Sequence, residues 1–478
     1  MIGRALRKAV RLLASARLAT LLLALAGGWS VVASVVPQGG STDERVTAWA
    51  AANPVAESIV GVLGLHNAFA APVFALLASV LALSTALCAW QRTKVAIAKS
   101  RGLRSAASFD GQSQTPGHDL KIACDPGLEP AEILVLASDA FRDAGIRTKR
   151  RGDVLTAVSP SWSVWGSPVF HWALLALMFT MVLGTLLRSS GQIGLAVGES
   201  KVDAPESYGI LSDGLLYTRE PGARTIRVDA FDVNFKSGGV NRGPTPTVTI
   251  LDAQGAVIKT QLVYPNNTLQ IDSLTIYPAD YGLSAAVSLL DPEGQVYAHG
   301  VQLIDFSGDN AEGTKPVSFV SAPAASGNPA MKVTVTVPLD SVAEGLVARL
   351  PKDVRAHVVV TSSSGEPLLD QTMRPGEEVA LPVAGMLRLD DVGYYARLQL
   401  VDDPTVPLLY AVLAIATIGL SVAALAPQHI VLASVIRTPE GTALGVRLRL
   451  WRNVTTNRAE IEKGLARALG GPDAKETT

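Results

Sequence analysis

Residues 167–200 read SPVFHWALLALMFTMVLGTLLRSSGQIGLAVGES, and the fold turns on this stretch. From Pro168 to Leu187 it carries no charge. A run of about 20 residues, rising about 1.5 Å each, crosses a hydrocarbon layer of about 30 Å. The stretch is therefore a membrane span. His171 lies in its first turn, where an imidazole is costly unless it faces a protein interior, a cavity or a ligand.

Three further runs have the same length and lack of charge: Leu18 to Val36, Ala71 to Trp90 and Val406 to Ala426. With 48% hydrophobic residues in a chain of 478, the composition is that of a membrane protein with sizeable polar regions. The segment MIGRALRKAVRLLASAR before the first span is basic and has no acidic residue, so the positive-inside rule leaves it in the cytoplasm. Alternation then exports residues 37–70 and returns residues 92–165 to the inside. Arg92, Lys94, Lys99, Arg101 and Arg104 beside the second span agree with that placement, as does the basic C-terminal region with Arg437, Arg447, Arg449 and Arg452. A cleaved signal peptide is the alternative for the first run. Its length and the poor cleavage sequence SVVPQGG argue against it.

These readings define an α+β membrane protein, with both termini in the cytoplasm and the chain multi-pass in the plasma membrane. The expected order is a basic N-terminus (1–17), span one (18–36), a short extracytoplasmic loop (37–70), span two (71–91), a cytoplasmic loop domain (92–165) and span three (166–187). An extracytoplasmic β-rich domain (188–404), span four (405–426) and a cytoplasmic tail (427–478) follow. The loop domain is small and α+β. LEPAEILVLASDAFRDAGIRTKRRGDVLTAVSP places Ile133, Leu136, Ala140 and Phe141 at helical spacing before Gly145, then gives a hairpin about a Gly-Asp turn. The exported domain is all-β and sandwich-like. TIRVDAFDVNF, TPTVTILDAQGAVIKTQLVY and MKVTVTVPL are rich in β-branched residues and punctuated by Gly, Pro and Asp.

Several chemistries are excluded. Basic and acidic residues number 41 and 42, so no global field points to nucleic acid. Cys88 and Cys124 are the only cysteines and form no C-x-x-C pair, which removes a thiol redox centre and covalent C-x-x-C-H heme attachment. Phosphate-loop, H-E-x-x-H and G-x-S-x-G patterns are absent, so no catalytic residue is assigned. A transporter is disfavoured, because no inverted halves or broken helix pairs are visible. His66, His118, His299, His357 and His429 are isolated and read as ordinary boundary, loop or strand residues.

For His171 two readings stand: a structural imidazole bonded to a neighbouring helix or snorkelling to the interface, and an axial ligand to heme iron. Leu174, Leu175, Met178 and Val182 share its helical face and would supply apolar wall. One histidine gives one axial ligand, and no second lies well inside a span.

The segments ARLATLLLALAGGWSVVASVVPQ (16–38), NPVAESIVGVLGLHNAFAAPVF (53–74), AFRDAGIRTKRRGDVLTAV (140–158), FHWALLALMFTMVLGTLLRSSGQIGLAVGES (170–200) and YYARLQLVDDPTVPLLYAVLAIATIGL (394–420) together carry a resemblance. In order and spacing they resemble the ResB (CcsB) family of system II cytochrome c biogenesis. The resemblance implies a non-catalytic or co-catalytic subunit of a heme lyase complex, with His171 in the position of the family's heme-binding histidine at the start of span three. It also implies heme b as the transported ligand, a ResC (CcsA) partner bearing a tryptophan-rich motif, apocytochrome c as client, and a thioredoxin-like thiol reductant nearby. The tryptophan-rich motif is absent here. Trp162, Trp165 and Trp172 read as interfacial anchors. At 65–74 the sequence LHNAFAAPVF departs from the YHSWWF-like turn of many relatives. The rival class is a membrane-anchored β-domain scaffold that binds no heme.

Overall fold

A computed structural model describes residues 12–40, 44–108, 117–220, 224–306, 314–324, 329–338, 350, 353–382, 385–439, 441–452 and 457–470. Most of the basic N-terminal segment and residues 471–478 lie outside them. The chain divides into two units: Met1–Met181 with Leu408–Thr478, and Val182–Pro407.

The helices among the described residues are α1 (Ala16–Val35), α2 (Glu44–Ala52), α3 (Pro54–Leu63), α4 (Pro72–Ala107), α5 (Pro130–Asp143), α6 (Gly166–Leu187), α7 (Val406–Leu425) and α8 (Arg458–Ala468). Four of them, α1, α4, α6 and α7, are long and apolar enough to cross a membrane. Helix α4 has 36 residues, so at about 1.5 Å each it far exceeds a hydrocarbon layer of about 30 Å. Its apolar part ends near Trp90. No proline interrupts 91–107, and Ala96, Ser100, Leu103 and Ala106 form a buried stripe at helical spacing that carries the helix onward. That stripe packs against Val164, Ile430 and Leu432, with Trp165 and Trp451 alongside. Trp165 is thus a packing residue, while Trp162 and Trp172 are exposed.

The first unit holds a five-stranded antiparallel sheet in the order Leu120–Ala123, Gly441–Arg452, Gln428–Thr438, Val154–Val158, Lys149–Arg151. The helix and the hairpin expected in the loop are both present, and Gly145 and Gly152 take the positive φ their turns require. Residues 427–478, expected as a tail, instead supply two of the three inner strands, and α8 closes the same core. Ile133, Phe141, Val431, Leu444 and Leu465 are fully or almost fully buried together. A capping box between Asn457 and Glu460 starts α8. Strands from before α6 and after α7 share hydrogen bonds, so the chain leaves and returns between them on α6 and α7.

Helices α6 and α7 meet backbone to backbone. A Cβ on Gly166 would stand 2.3 Å from the nitrogen of Ala423, and one on Gly419 would stand 2.7 Å from the nitrogen of Phe170. Small residues at such a crossing let membrane helices gain van der Waals contact where lipid gives no hydrophobic drive. Ala173, Val412 and Ala416 extend the seam.

The second unit is sheet-rich and antiparallel. Its spine is the pair Leu274–Leu290 and Met386–Asp402, 17 residues each. One end of the spine packs on the sheet containing Met331–Thr336 and Ala356–Ser362, burying Leu283, Val287, Val333 and Val358. The other end packs on the sheet containing Arg224–Ser237 and Val240–Asp252, burying Ile193, Ile276, Val228, Val248 and Leu398. Register shifts fall at Pro278/Asp280, between the two ends, and at Ala286/Val287, within the end that carries Leu283 and Val287. Inserting a residue changes the parity of the pleat, which keeps the apolar side chains of both ends facing packed sheets. The expected sandwich is therefore two adjoining sandwiches on one long sheet.

Candidate functional site

His171 sits in the second turn of α6, half buried, with its Nδ1 2.8 Å from the carbonyl oxygen of Ser167. A carbonyl only accepts, so Nδ1 carries the proton. The tautomer this fixes leaves the Nε2 lone pair available. The Phe170 ring stands edge-on at 5.6 Å. The residues around His171 on α6 reach α4: Arg92 Nη1 donates to Ser167 Oγ at 3.1 Å, and Trp172 Nε1 donates to Thr93 Oγ1 at 3.0 Å. Ala173 and Leu177, on the other side of the helix, pack on α7.

The wall proposed from sequence divides. Leu174, Leu175 and Met178 are half buried, whereas Val182 is exposed. A cavity of about 290 Å³ lies one turn before His171, lined by Cys88, Gln91, Arg92, Lys99, Ser167 and Pro168 among others; His171 itself does not line it. The fit to heme is thus partial. Among the described residues the chain offers one imidazole with the right tautomer and part of a wall.

His66, read as a boundary residue, is tied down at both nitrogens. Nδ1 donates to the carbonyl of Pro37 at 2.8 Å, and Nε2 lies 2.8 Å from Glu57 Oε2. The Glu57 bond, then the Pro37 carbonyl, raise the imidazole above its ordinary value. Trp49 meets the ring edge-on at 5.6 Å, and Trp29 and Leu65 belong to the adjoining apolar cluster. Gly64 ends α3 in the left-handed region, turning the chain so that His66 faces back toward the end of α1. Gln38 Nε2 donates to Leu65 O at 2.8 Å and seals the same corner. A signal exists in sequence, a carboxylate on the helix just before the histidine, but its partner Pro37 lies 29 residues away.

The other histidines are accounted for locally. His299 Nδ1 is 3.1 Å from Ser288 Oγ, and Ser288 Oγ donates to Asp390 Oδ2 at 2.7 Å. Serine and carboxylate crowd the same imidazole nitrogen, so this is no nucleophilic relay, which needs them on opposite nitrogens. His357 Nε2 bonds Asp370 at 2.6 Å. His429 is depressed by burial and faces Ser159 Oγ at 3.2 Å. His118 is exposed. Among the described residues no three His, Cys, Asp or Glu side chains gather as a metal site.

In the second unit Arg219 is nearly buried. Its Nη1 donates to Asp203 at 2.6 Å, and its Nη2 to Ser189 at 2.6 Å and Asp213 at 2.9 Å. The rings of Tyr208 and Tyr217 lie 5.1 and 5.4 Å from the guanidinium carbon. Tyr217 and Arg224 both donate to Asp402, which pairs with Ser189 across the sheet. Burial and the Asp402 carboxylate push Tyr217 up to about 12. This network ties the strand leaving α6 to the strand entering α7.

Four apolar helices and a sheet-rich region between the third and fourth define a membrane-anchored class of protein. Within it, the chain belongs to the ResB-like family, whose model matches residues 16–364. It is similar to the cytochrome c biogenesis protein CcsB of Thermosynechococcus vestitus (strain NIES-2133 / IAM M-273 / BP-1), with 23% identity over 464 residues, 95% of this chain and 93% of that protein. It is also similar to the cytochrome c biogenesis protein CcsB of Microcystis aeruginosa (strain NIES-843 / IAM M-2473), with 22% identity over 423 residues and 86% of each chain.

Proposed function

We propose that this chain acts in cytochrome c biogenesis as the ResB-like subunit of a membrane complex that delivers heme to apocytochrome c. Family membership and the names of its relatives support the process. The observation that carries the heme reading is the bond from His171 Nδ1 to Ser167 O, which leaves Nε2 as a ligand nitrogen. In this reading heme is the cargo and His171 its axial ligand. A ResC/CcsA-like partner supplies the second ligand and the missing wall, and the β-rich unit docks the partner and apocytochrome c outside. The termini and the five-stranded sheet lie in the cytoplasm, as the basic residues flanking the spans favour.

His66 supports a second placement of the ligand. Its ring lies edge-on to Trp49 beside the Trp29 cluster, so release of the Glu57 contact would free Nε2 for a ligand. The scaffold reading remains the rival, since the same Ser167 bond also suits a purely structural His171.

The test is co-purification with the CcsA-like partner, followed by a pyridine hemochrome assay on wild type, His171→Ala and His66→Ala. Loss of most heme in one variant, restored by added imidazole, identifies that ligand. Full heme content in both, with the complex intact, overturns the heme role of this chain.

A further inference from the structure

We propose that the cavity beside the α4–α6 contact binds the headgroup phosphate of an anionic phospholipid. Its depth is set by the two helices. Arg92 is the first charge after the apolar part of α4, and Ser167 and Pro168 lie in the first turn of α6, so a cavity lined by all three lies at the end of that apolar part and the start of α6, beside that first charge. That is headgroup depth.

Its lining is divided in the same way. Arg92, Lys99 and Gln91 give the polar side, and Cys88, Val164 and Pro168 give an apolar wall. Arg92 spends one N–H on Ser167 Oγ, while its Nε is buried with no hydrogen-bond partner. A buried guanidinium N–H without an acceptor carries a desolvation penalty that an arriving oxyanion relieves. Among the described residues no carboxylate is ion-paired to Arg92 or lines this cavity. Lys99, held over the Trp451 ring at 4.9 Å, adds a second positive charge.

A phosphodiester matches this arrangement. It brings one negative charge and acceptor oxygens in the plane of the guanidinium fork, and its acyl chains continue along the apolar wall. About 290 Å³ accommodates a headgroup, and His171 is not part of the lining. The lipid site is therefore separate from the heme ligand proposed at His171.

The experiment uses the full-length protein in nanodiscs of phosphatidylcholine, with or without phosphatidylglycerol. Lipids retained on release are counted by native mass spectrometry, and N-ethylmaleimide modification of Cys88 is followed by peptide mass spectrometry. Wild type is expected to retain phosphatidylglycerol, Arg92→Gln to lose it several-fold, and Arg92→Lys to fall between. Phosphatidylglycerol should also slow Cys88 modification several-fold in wild type, a readout that needs no substitution at Arg92. Equal retention by Arg92→Gln, or equal protection of Cys88 by phosphatidylcholine, overturns the proposal. So does full protection by inorganic phosphate in detergent, which would mark a site for free oxyanions.

Discussion

The carbonyl oxygen of Gly419 lies 2.8 Å from the point where a Cβ on Gly166 would stand. The obstacle on both helices is backbone, which cannot rotate away as a side chain can. Gly166→Ala should therefore force α6 and α7 apart. Overpacking of this kind costs typically about 1–3 kcal/mol. A lowered thermal midpoint in detergent checks this, with Gly102→Ala as control because nothing stands within 4 Å of its added Cβ. Equal midpoints would contradict the close crossing.

Arg219 joins Asp203, Asp213 and Ser189 with a side chain 9% exposed. Arg219→Ala leaves two carboxylates partly buried without their cation. Breaking such a pair from one side costs about 3–5 kcal/mol, read as a drop in the urea midpoint. Burial alone would raise Asp213, but bonds from Ser189 and Arg219 outweigh it and hold its carboxyl below the ordinary 3.8. A depressed carboxyl contributes stability above its unfolded value and loses it as pH falls through the folded one. Wild type should therefore lose stability below about pH 4 in part through Asp213, and Arg219→Ala should flatten that loss.

His66 gives the opposite sign. Its folded value is raised from 6.5, first by Glu57 and then by the Pro37 carbonyl. The corner it holds is most stable below that unfolded value and weakens as pH rises through the folded one. Glu57→Gln should bring the His66 titration back toward 6.5 in a histidine-labelled NMR experiment. An unmoved titration would refute the pairing.

Truncation after Ala426 should remove the strands Gln428–Thr438 and Gly441–Arg452 from the inside of the five-stranded sheet. Residues 120–158 would then lose the partners of Ile122, Leu155 and Ala157. Limited proteolysis should cut this region in the truncated chain and spare it in the full chain. The same protection in both would show that the loop folds alone.

Patterns local in sequence are the legible ones. Charge-free length marks the four apolar helices, and the spacing of Ile133, Leu136, Ala140 and Phe141 marks α5 with its stop at Gly145. The run QHIVLASVIRT is rich in β-branched residues, as a strand should be, yet basic residues and proximity to a span dominate its reading as a tail. It pairs locally with Gly441–Arg452, but its other partner, Val154–Val158, lies far away in the chain, and pairing at such distance leaves no local mark. The His66 corner draws on α1, α3 and the turn after it, so no single window holds it. His171 is visible as an imidazole in an apolar run, but its bond to Ser167 and the reach of Arg92 come only with the packing of α4 on α6.

Ser159 and His429 bond across 270 residues of chain, at the seam where the early and late strands of one sheet meet. During synthesis the early strands must wait while two spans and the whole second unit are made. Until the last stretch emerges on the same side, the buried faces of Leu155 and Phe141 stay uncovered, so completing this sheet is also a check that both crossings were made in the correct direction.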